Sequence, residues 1–358
     1  VAKPIWKQLL GFTLVIATLA GTAQATPGGT ITPLISAGAP PDSPAARVDP
    51  NTAASPFSGV VSINIRYDGL SYICSGALVG KRQVVSAGHC VDTDGNGSVI
   101  DLNKPGNDVR VIFNASSTPG DPGRAAITAS KVQMNPNYAG FGNCPAGVPG
   151  FCVNDDLSVI TLSQDAPAAA RIYKIAGQQL EANTRIIMAG YGTSGDGING
   201  YTIGPDFRVK RTGQNVVDFF DQDDEQDFNG PREVWYADFD GNGHDTFCEF
   251  GLACSRVLAN GEEANIGGGD SGGPSFIESY GELMLIATNT FGGTPDGINK
   301  GAFGSYFGGI VLHSYLDYLR QATGGAATVV PEPASIAVFG LGLLALAGAR
   351  RRKQQRSA

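Results

Sequence analysis

In the run VVSINIRY, residues 60–67, Val61, Ile63, Ile65 and Tyr67 alternate with Ser62, Asn64 and Arg66, the period of a strand with one face buried. DVRVIFN (108–114), RIIMAGYG (185–192) and ELMLIATNTF (282–291) read the same way, separated by turns rich in Gly, Pro and Asn. One stretch departs from this pattern. In IVLHSYLDYLRQ (310–321), Leu312, Tyr315, Leu316 and Leu319 fall on one helical stripe. Many short strands and one late helix predict an all-β protein, a sandwich or a pair of barrels. Residues 26–47 carry no such period; Pro, Ala, Gly and Thr dominate, as in an unstructured pro-segment or linker, and residues 321–333 read as a spacer.

Composition fits this picture. Of 358 residues, 50 are Gly and 21 Pro, turn-rich but below the level of low-complexity sequence. The ends read as addresses. Lys3 and Lys7 precede the apolar run 9–20, and Ala23-Gln24-Ala25 follows, which predicts a signal peptide at 1–25. At the other end Pro331-Glu332-Pro333 precedes sixteen uncharged residues, 334–349, and then Arg350-Arg351-Arg352-Lys353. As a helix the sixteen would span roughly 24 Å, a short fit to a ~30 Å hydrocarbon layer, with the basic cluster on the cytoplasmic side. This tripartite tail, 334–358 with its Pro-Glu-Pro lead, resembles the PEP-CTERM sorting signal of Gram-negative bacteria. The resemblance implies export, processing by an exosortase-type enzyme, and a cell-surface or extracellular destination. Membrane contact is then expected only through this segment before processing. Loss of both ends removes seven basic residues and takes the net charge from −8 to −15, which argues against a nucleic-acid partner. Six cysteines in an exported chain are expected to pair, and neighbour pairing is the simplest of fifteen choices: Cys74 with Cys90, Cys144 with Cys152, Cys248 with Cys254.

The stretch NIGGGDSGGPSF (265–276) surrounds Asp270 and Ser271 with five glycines, a composition that needs a structural reason. A serine becomes a nucleophile when a base takes its proton and a third group holds that base. The chain has three histidines. His313 lies off the apolar stripe of the late helix and His244 in an acidic turn, whereas His89 ends the β-like run VVSAGHC, where a Cys74–Cys90 bridge could pin it. NDDLSVITL offers Asp155 and Asp156 as the orienting acid; Asp156 opens the apolar strand directly and is preferred.

SAGHC, DLSVITL and GGDSGGP, in that order, resemble the histidine, aspartate and serine motifs of the trypsin/chymotrypsin-like serine proteases. AGYGTS (189–194), TFGG (290–293) and the late helix resemble supporting parts of that family, so the likeness covers roughly residues 48–320. It implies two six-stranded antiparallel β-barrels, with a boundary near 170–180 and a C-terminal helix. The expected activity is hydrolysis of protein or peptide substrates through an acyl-enzyme, with no cofactor in the chemistry. His89, Asp156 and Ser271 would form the triad, and the N–H groups of Gly269 and Ser271 the oxyanion hole. Thr290, Phe291 and Gly292 would pair with substrate backbone. Asn265 would lie at the base of the primary pocket, with Gly292 and Gly301 as walls; a neutral Asn does not mark a preference for Lys or Arg. Asp270 would receive a new α-amino group, and Val48 after Arg47 is the candidate for it, although Asp49-Pro50 stands where the family has Gly-Gly.

Two acidic loops lengthen the chain between these motifs. DFDGNGHDTFCE (238–249) places Asp238, Asp240, Asn242 and Glu249 in an EF-hand-like order, and DTDGNGSVIDLN (92–103) repeats its first half with Asp92, Asp94 and Asn96. Both are expected to be candidate structural Ca2+ loops, and both compositions also suit ordinary turns. A rival reading is a non-catalytic surface or matrix protein on a protease scaffold, yet none of the three reactive residues is missing. An esterase elbow is disfavoured because His89 and Asp156 precede Ser271.

Overall fold

The computed structural model describes residues 35–331; the leader and the hydrophobic tail expected at 334–358 lie outside the described residues. Six strands form the first half: β1 (Val60–Tyr67), β2 (Leu70–Leu78), β3 (Gln83–Ser86), β4 (Asp108–Phe113), β5 (Ala125–Met134) and β6 (Ser158–Leu162). They close into an antiparallel barrel in the order β1-β2-β3-β6-β5-β4. The β1–β2 hairpin pairs Tyr67 with Leu70 across Asp68 and Gly69, both at positive φ, the two-residue turn whose twist suits a hairpin. The alternation seen in the sequence becomes the lining of this barrel: Val61, Ile63, Ile65, Val109, Val111 and Phe113 are all buried together.

The second half is larger than expected. Its sheet runs β11 (Arg211–Val216), β8 (Arg185–Gly190), β14 (Pro274–Ser279), β15 (Glu282–Gly293), β16 (Tyr306–Val311), β13 (Arg232–Asp238) and β12 (Phe219–Gln222). Two short strands, β7 (Ile175–Ala176) and β17 (Val329–Val330), pair in parallel beside β15, making nine strands rather than six. Among the described residues no strand pairing closes this sheet; its end strands, β11 and β12, follow each other in the chain with only Val217 and Asp218 between them. A separate hairpin, β9 (Ser194–Asp196) and β10 (Gly200–Ile203), projects from the end of β8. Met188, Trp235, Ile286 and Phe307 fill this half, and a further cluster unites Val85 and Val159 with Ala189, Phe276 and Leu312, sealing the joint between the halves.

Three expectations change. The late helix begins later than its stripe suggested: Ile310 and Val311 belong to β16, a 3-10 turn covers Leu312–Tyr315, and the α-helix proper is Leu316–Ala322. The stripe still faces inward, since Leu312, Tyr315 and Leu319 are buried. The spacer is partly structured, because it carries β17. The described part of the presumed linker is folded, too. Ile35 is fully buried in the second core, the Ser36 N–H donates to the Asn265 carbonyl at 3.2 Å, and the Ala37 N–H donates to Gly195 at 2.9 Å. A Pro- and Ala-rich segment can be ordered by backbone pairing alone, which leaves no period in its side chains.

Candidate active site

His89 follows β3 and Asp156 precedes β6, two neighbouring strands of the first barrel, so the ladder brings their ends together. His89 Nδ1 lies 2.7 Å from Asp156 Oδ2, and the His89 backbone N–H donates to Asp156 Oδ1, also at 2.7 Å. The Asp156 side chain is completely buried, whereas that of His89 keeps 24% of its surface exposed. Burial lowers the imidazole pKa, but the Asp156 charge and hydrogen bond outweigh it, and the net position is above the ordinary value of 6.5. Ser158 supports the pair by donating from Oγ to the Ala87 carbonyl at 2.7 Å.

Ser271 comes from the second half, on the loop before β14. Its carbonyl accepts from the Ser75 N–H of β2 at 2.8 Å and lies 3.7 Å from Cys90 Sγ, which sets the serine loop beside the residue that follows His89. Cys90 is bridged to Cys74, and the other two bridges, Cys144–Cys152 and Cys248–Cys254, also pair neighbours as expected. The glycines of the loop have the reason the sequence asked for. Gly272 has a φ of 75°, and a Cβ there would stand 2.1 Å from Ser86 Oγ; Gly269 has a φ of 103°. Among the described residues the N–H groups of Gly269 and Ser271 donate to no partner, while those of Asp270, Gly272 and Gly273 are all engaged. Asp270 is fully buried; its carboxylate accepts from Gly192 N–H at 2.7 Å and Gly267 N–H at 2.9 Å, and burial pushes its pKa up to about 7.

Around these groups the sequence reading needs amending. Thr290, Phe291 and Gly292 lie on β15 at a bulge, with Thr290 buried and Gly292 exposed as a backbone edge should be. Gly292 faces Phe307 across the ladder, and Gly301 lies not on that strand but in the turn before it. Asn265 is buried, as a pocket base would be. Tyr201 from β10 lies against Gly301, where a Cβ would come within 2.3 Å of its ring. Its hydroxyl donates to the Ile266 carbonyl at 2.5 Å and stands 3.5 Å from Asn265 Nδ2. At the activation candidate, the Arg47 guanidinium is bound to the Asp42 carboxylate and the Glu262 carbonyl, and Val48, 38% exposed, bridges the backbone of Arg211.

Of the acidic loops, 238–249 brings together Asp238, Asp240 and Asp245, one carboxylate oxygen of each within 4.8 Å of the others. Asn242 and Glu249 are exposed, and Glu249 instead accepts from the Asp245 N–H at 3.3 Å beside a single helical turn, Thr246–Glu249. Asp240 Oδ1 is buried without a hydrogen-bond partner. In 92–103, Asp92 accepts from the N–H groups of Asp94, Gly95 and Gly97, and Asn96 from that of Ser98, so turn chemistry accounts for that loop. Sequence reasoning missed Ser75, Tyr201 and Phe141, whose ring meets the His89 ring edge-on at 5.2 Å. Each reaches the site from a distant loop or strand, and nothing in its local pattern marks it.

A closed six-stranded barrel and a second sheet, with a histidine–carboxylate pair on one side and a glycine-cradled serine on the other, define a chymotrypsin-like protease scaffold. Residues 47–206 match the Trypsin family model, and residues 329–353 match the PEP-CTERM protein-sorting motif. These matches agree with the resemblances that the motifs suggested, and the serine loop lies beyond the stretch matched to the Trypsin model. The sorting motif implies export and handling by an exosortase-type enzyme. A search of curated proteins found no match.

Proposed function

We propose that this protein is an exported serine endopeptidase that cleaves peptide bonds through His89, Asp156 and Ser271. The observation that carries the reading is the 2.7 Å contact of His89 Nδ1 with a wholly buried Asp156. That contact leaves Nε2 as the basic nitrogen. Ser271 Oγ attacks the scissile carbonyl carbon while Nε2 takes its proton, and the new oxyanion is met by the free N–H groups of Gly269 and Ser271, each such donor worth about 3–4 kcal/mol in comparable sites. The C–N bond then breaks as His89 returns the proton to the amine, and water, deprotonated by the same nitrogen, releases the acyl group. Asp156 keeps its charge throughout and holds the ring in one tautomer. The β15 edge at Thr290–Gly292 aligns the substrate backbone. Asn265 floors a primary pocket narrowed by Tyr201, which suits small side chains. No cofactor enters the chemistry, and a structural Ca2+ is proposed at Asp238, Asp240 and Asp245.

A fluorophosphonate probe tests this directly. It labels Ser271 in the processed protein, and Ser271→Ala abolishes labelling and lowers peptide hydrolysis by roughly 10⁵–10⁶-fold. A folded, processed protein that takes no label would instead support a binding protein on a protease scaffold.

A further inference from the structure

Beside the triad lies a second concentration of charge that the chemistry above does not use. Asp155 immediately precedes Asp156 in the first half of the molecule. Asp224 and Glu225 lie in the turn between β12 and β13 of the second half, and Glu233 lies on β13. One carboxylate oxygen from each of the four lies within 4.8 Å of those of the other three. Three of the four are buried: Asp155 and Asp224 are 3% exposed and Glu233 5%, while Glu225 faces solvent. The neutral donors to this group are few. Asn135 Nδ2 donates to Asp155 and Asn154 Nδ2 to Glu233, each at 2.8 Å, and the Tyr315 hydroxyl also hydrogen-bonds Glu233. Asp224 Oδ1 is wholly buried and has no hydrogen-bond partner. The adjacent cation, Arg232, is turned away, paired with Glu181 at 2.6 Å and stacked over Phe220.

A buried carboxylate oxygen with no donor costs several kcal/mol in an apolar setting, and three like-charged neighbours raise that cost. Burial and the neighbouring acids accordingly push Asp155 up to about 9 and Asp224 up to about 8. Four convergent carboxylates, one of them open to solvent, form the oxygen-rich set that a hard divalent cation takes, with water completing six to eight ligands. We propose that Asp155, Asp224, Glu225 and Glu233 bind a Ca2+-class divalent cation that ties the two halves together beside the active site. Its place explains what it does. Asp155 has a φ of 61°, an uncommon conformation for a non-glycine residue, and its N–H donates to Tyr315 Oη at 3.0 Å. A cation held by the second half at Asp155 fixes the peptide that aims Asp156 at His89. This site is separate from the 238–249 loop and rests on its own carboxylates, so it stands or falls independently of proteolysis.

The test uses the full chain carrying Ser271→Ala, which precludes self-digestion. Ca2+ at a hundredfold excess over Kd is expected to raise Tm by roughly 5 °C. Asp224→Asn and Glu233→Gln are each expected to weaken 45Ca binding at this site at least tenfold, and Asp240→Asn, in the other cluster, to leave that component unchanged. Crystals grown with Tb3+ are expected to show an anomalous peak among the four carboxylates, a readout that holds even where a variant fails to fold. Unchanged Ca2+ binding and Tm response in both folded variants, or a saturated protein whose anomalous peaks all lie elsewhere, would overturn the site.

Discussion

His89 and Asp156 make a quantitative claim about pH. Burial alone lowers the imidazole pKa, but the fixed charge and hydrogen bond of Asp156 raise it more, so the midpoint lies above 6.5. A protonated imidazole cannot accept the Ser271 proton, so kcat/KM should fall as pH drops through that midpoint. The stability term has the opposite sense. A histidine raised in the folded state adds stability below about 6.5, the unfolded value, and that contribution is lost as pH climbs through the folded value. Asp156→Asn removes the two larger of three raising influences, leaving only the Asp92 charge against the burial, so the acidic limb should move to lower pH while kcat drops roughly 10⁴-fold. Initial rates on one peptide from pH 5 to pH 9 decide the matter, and a wild-type limb centred below 6.5 would contradict it. At this scale much of the site was legible in the sequence. Three histidines left few candidates, and an acid opening an apolar strand stood out against its neighbour. Ser75, Phe141 and Tyr201 were not legible, because contacts between residues tens of positions apart leave no trace in local spacing.

At the level of elements, the strands that line a barrel announced themselves because one face of each is buried and the period survives in the side chains. Elements ordered mainly by their backbones did not. The segment 35–37 and the β9–β10 hairpin pair through N–H and C=O groups and carry Gly, Ser and Asp, so they read as linker or turn. The late helix was placed early for a related reason: Ile310 and Val311 suit a helical stripe and a buried strand equally well, and β16 claims them. The overlooked hairpin has a functional consequence. It sets Tyr201 against Gly301 and beside Asn265, where on the proposed reading its ring would shorten the primary pocket. The wild-type enzyme should therefore prefer Ala or Gly before the scissile bond. Tyr201→Ala should raise kcat/KM for Leu or Phe there by about 10–100-fold relative to Ala, the range that a few methylenes in an apolar pocket command. Tyr201→Phe keeps the ring and should retain the small-residue preference, so peptide-library profiling of the three proteins separates filling of the pocket from loss of the hydroxyl. A wild-type preference for Phe or Arg would refute the assignment.

Across the whole molecule, the question is how the serine loop acquires its shape. Asp270 anchors that loop from a fully buried position, held by two backbone amides, with burial raising its pKa to about 7. The Arg211 guanidinium stabilises its charge from nearby, but burial pushes Arg211 itself down to about 9, and both its Nη atoms lack partners. The charge balance here is incomplete, and a free α-amino group would improve it. Val48 is poorly placed to supply one. Asp49, which follows it where the family has Gly, is committed to a buried ion pair with Lys210 at 3.3 Å, and the surface of Val48 is open. Ile35 is better placed. It is fully buried in the second core, and Ser36 after it is bonded to Asn265, two residues before the Gly267 that holds Asp270. We therefore expect activation to cut between Leu34 and Ile35, leaving residues 35–47 as a strap on the second half. N-terminal sequencing of active enzyme should begin Ile-Ser-Ala-Gly. Asp270→Asn should remove most of the activity while the Tm changes little. Active enzyme beginning at Val48, or at Thr26 with full activity, would show that the strap is not made this way.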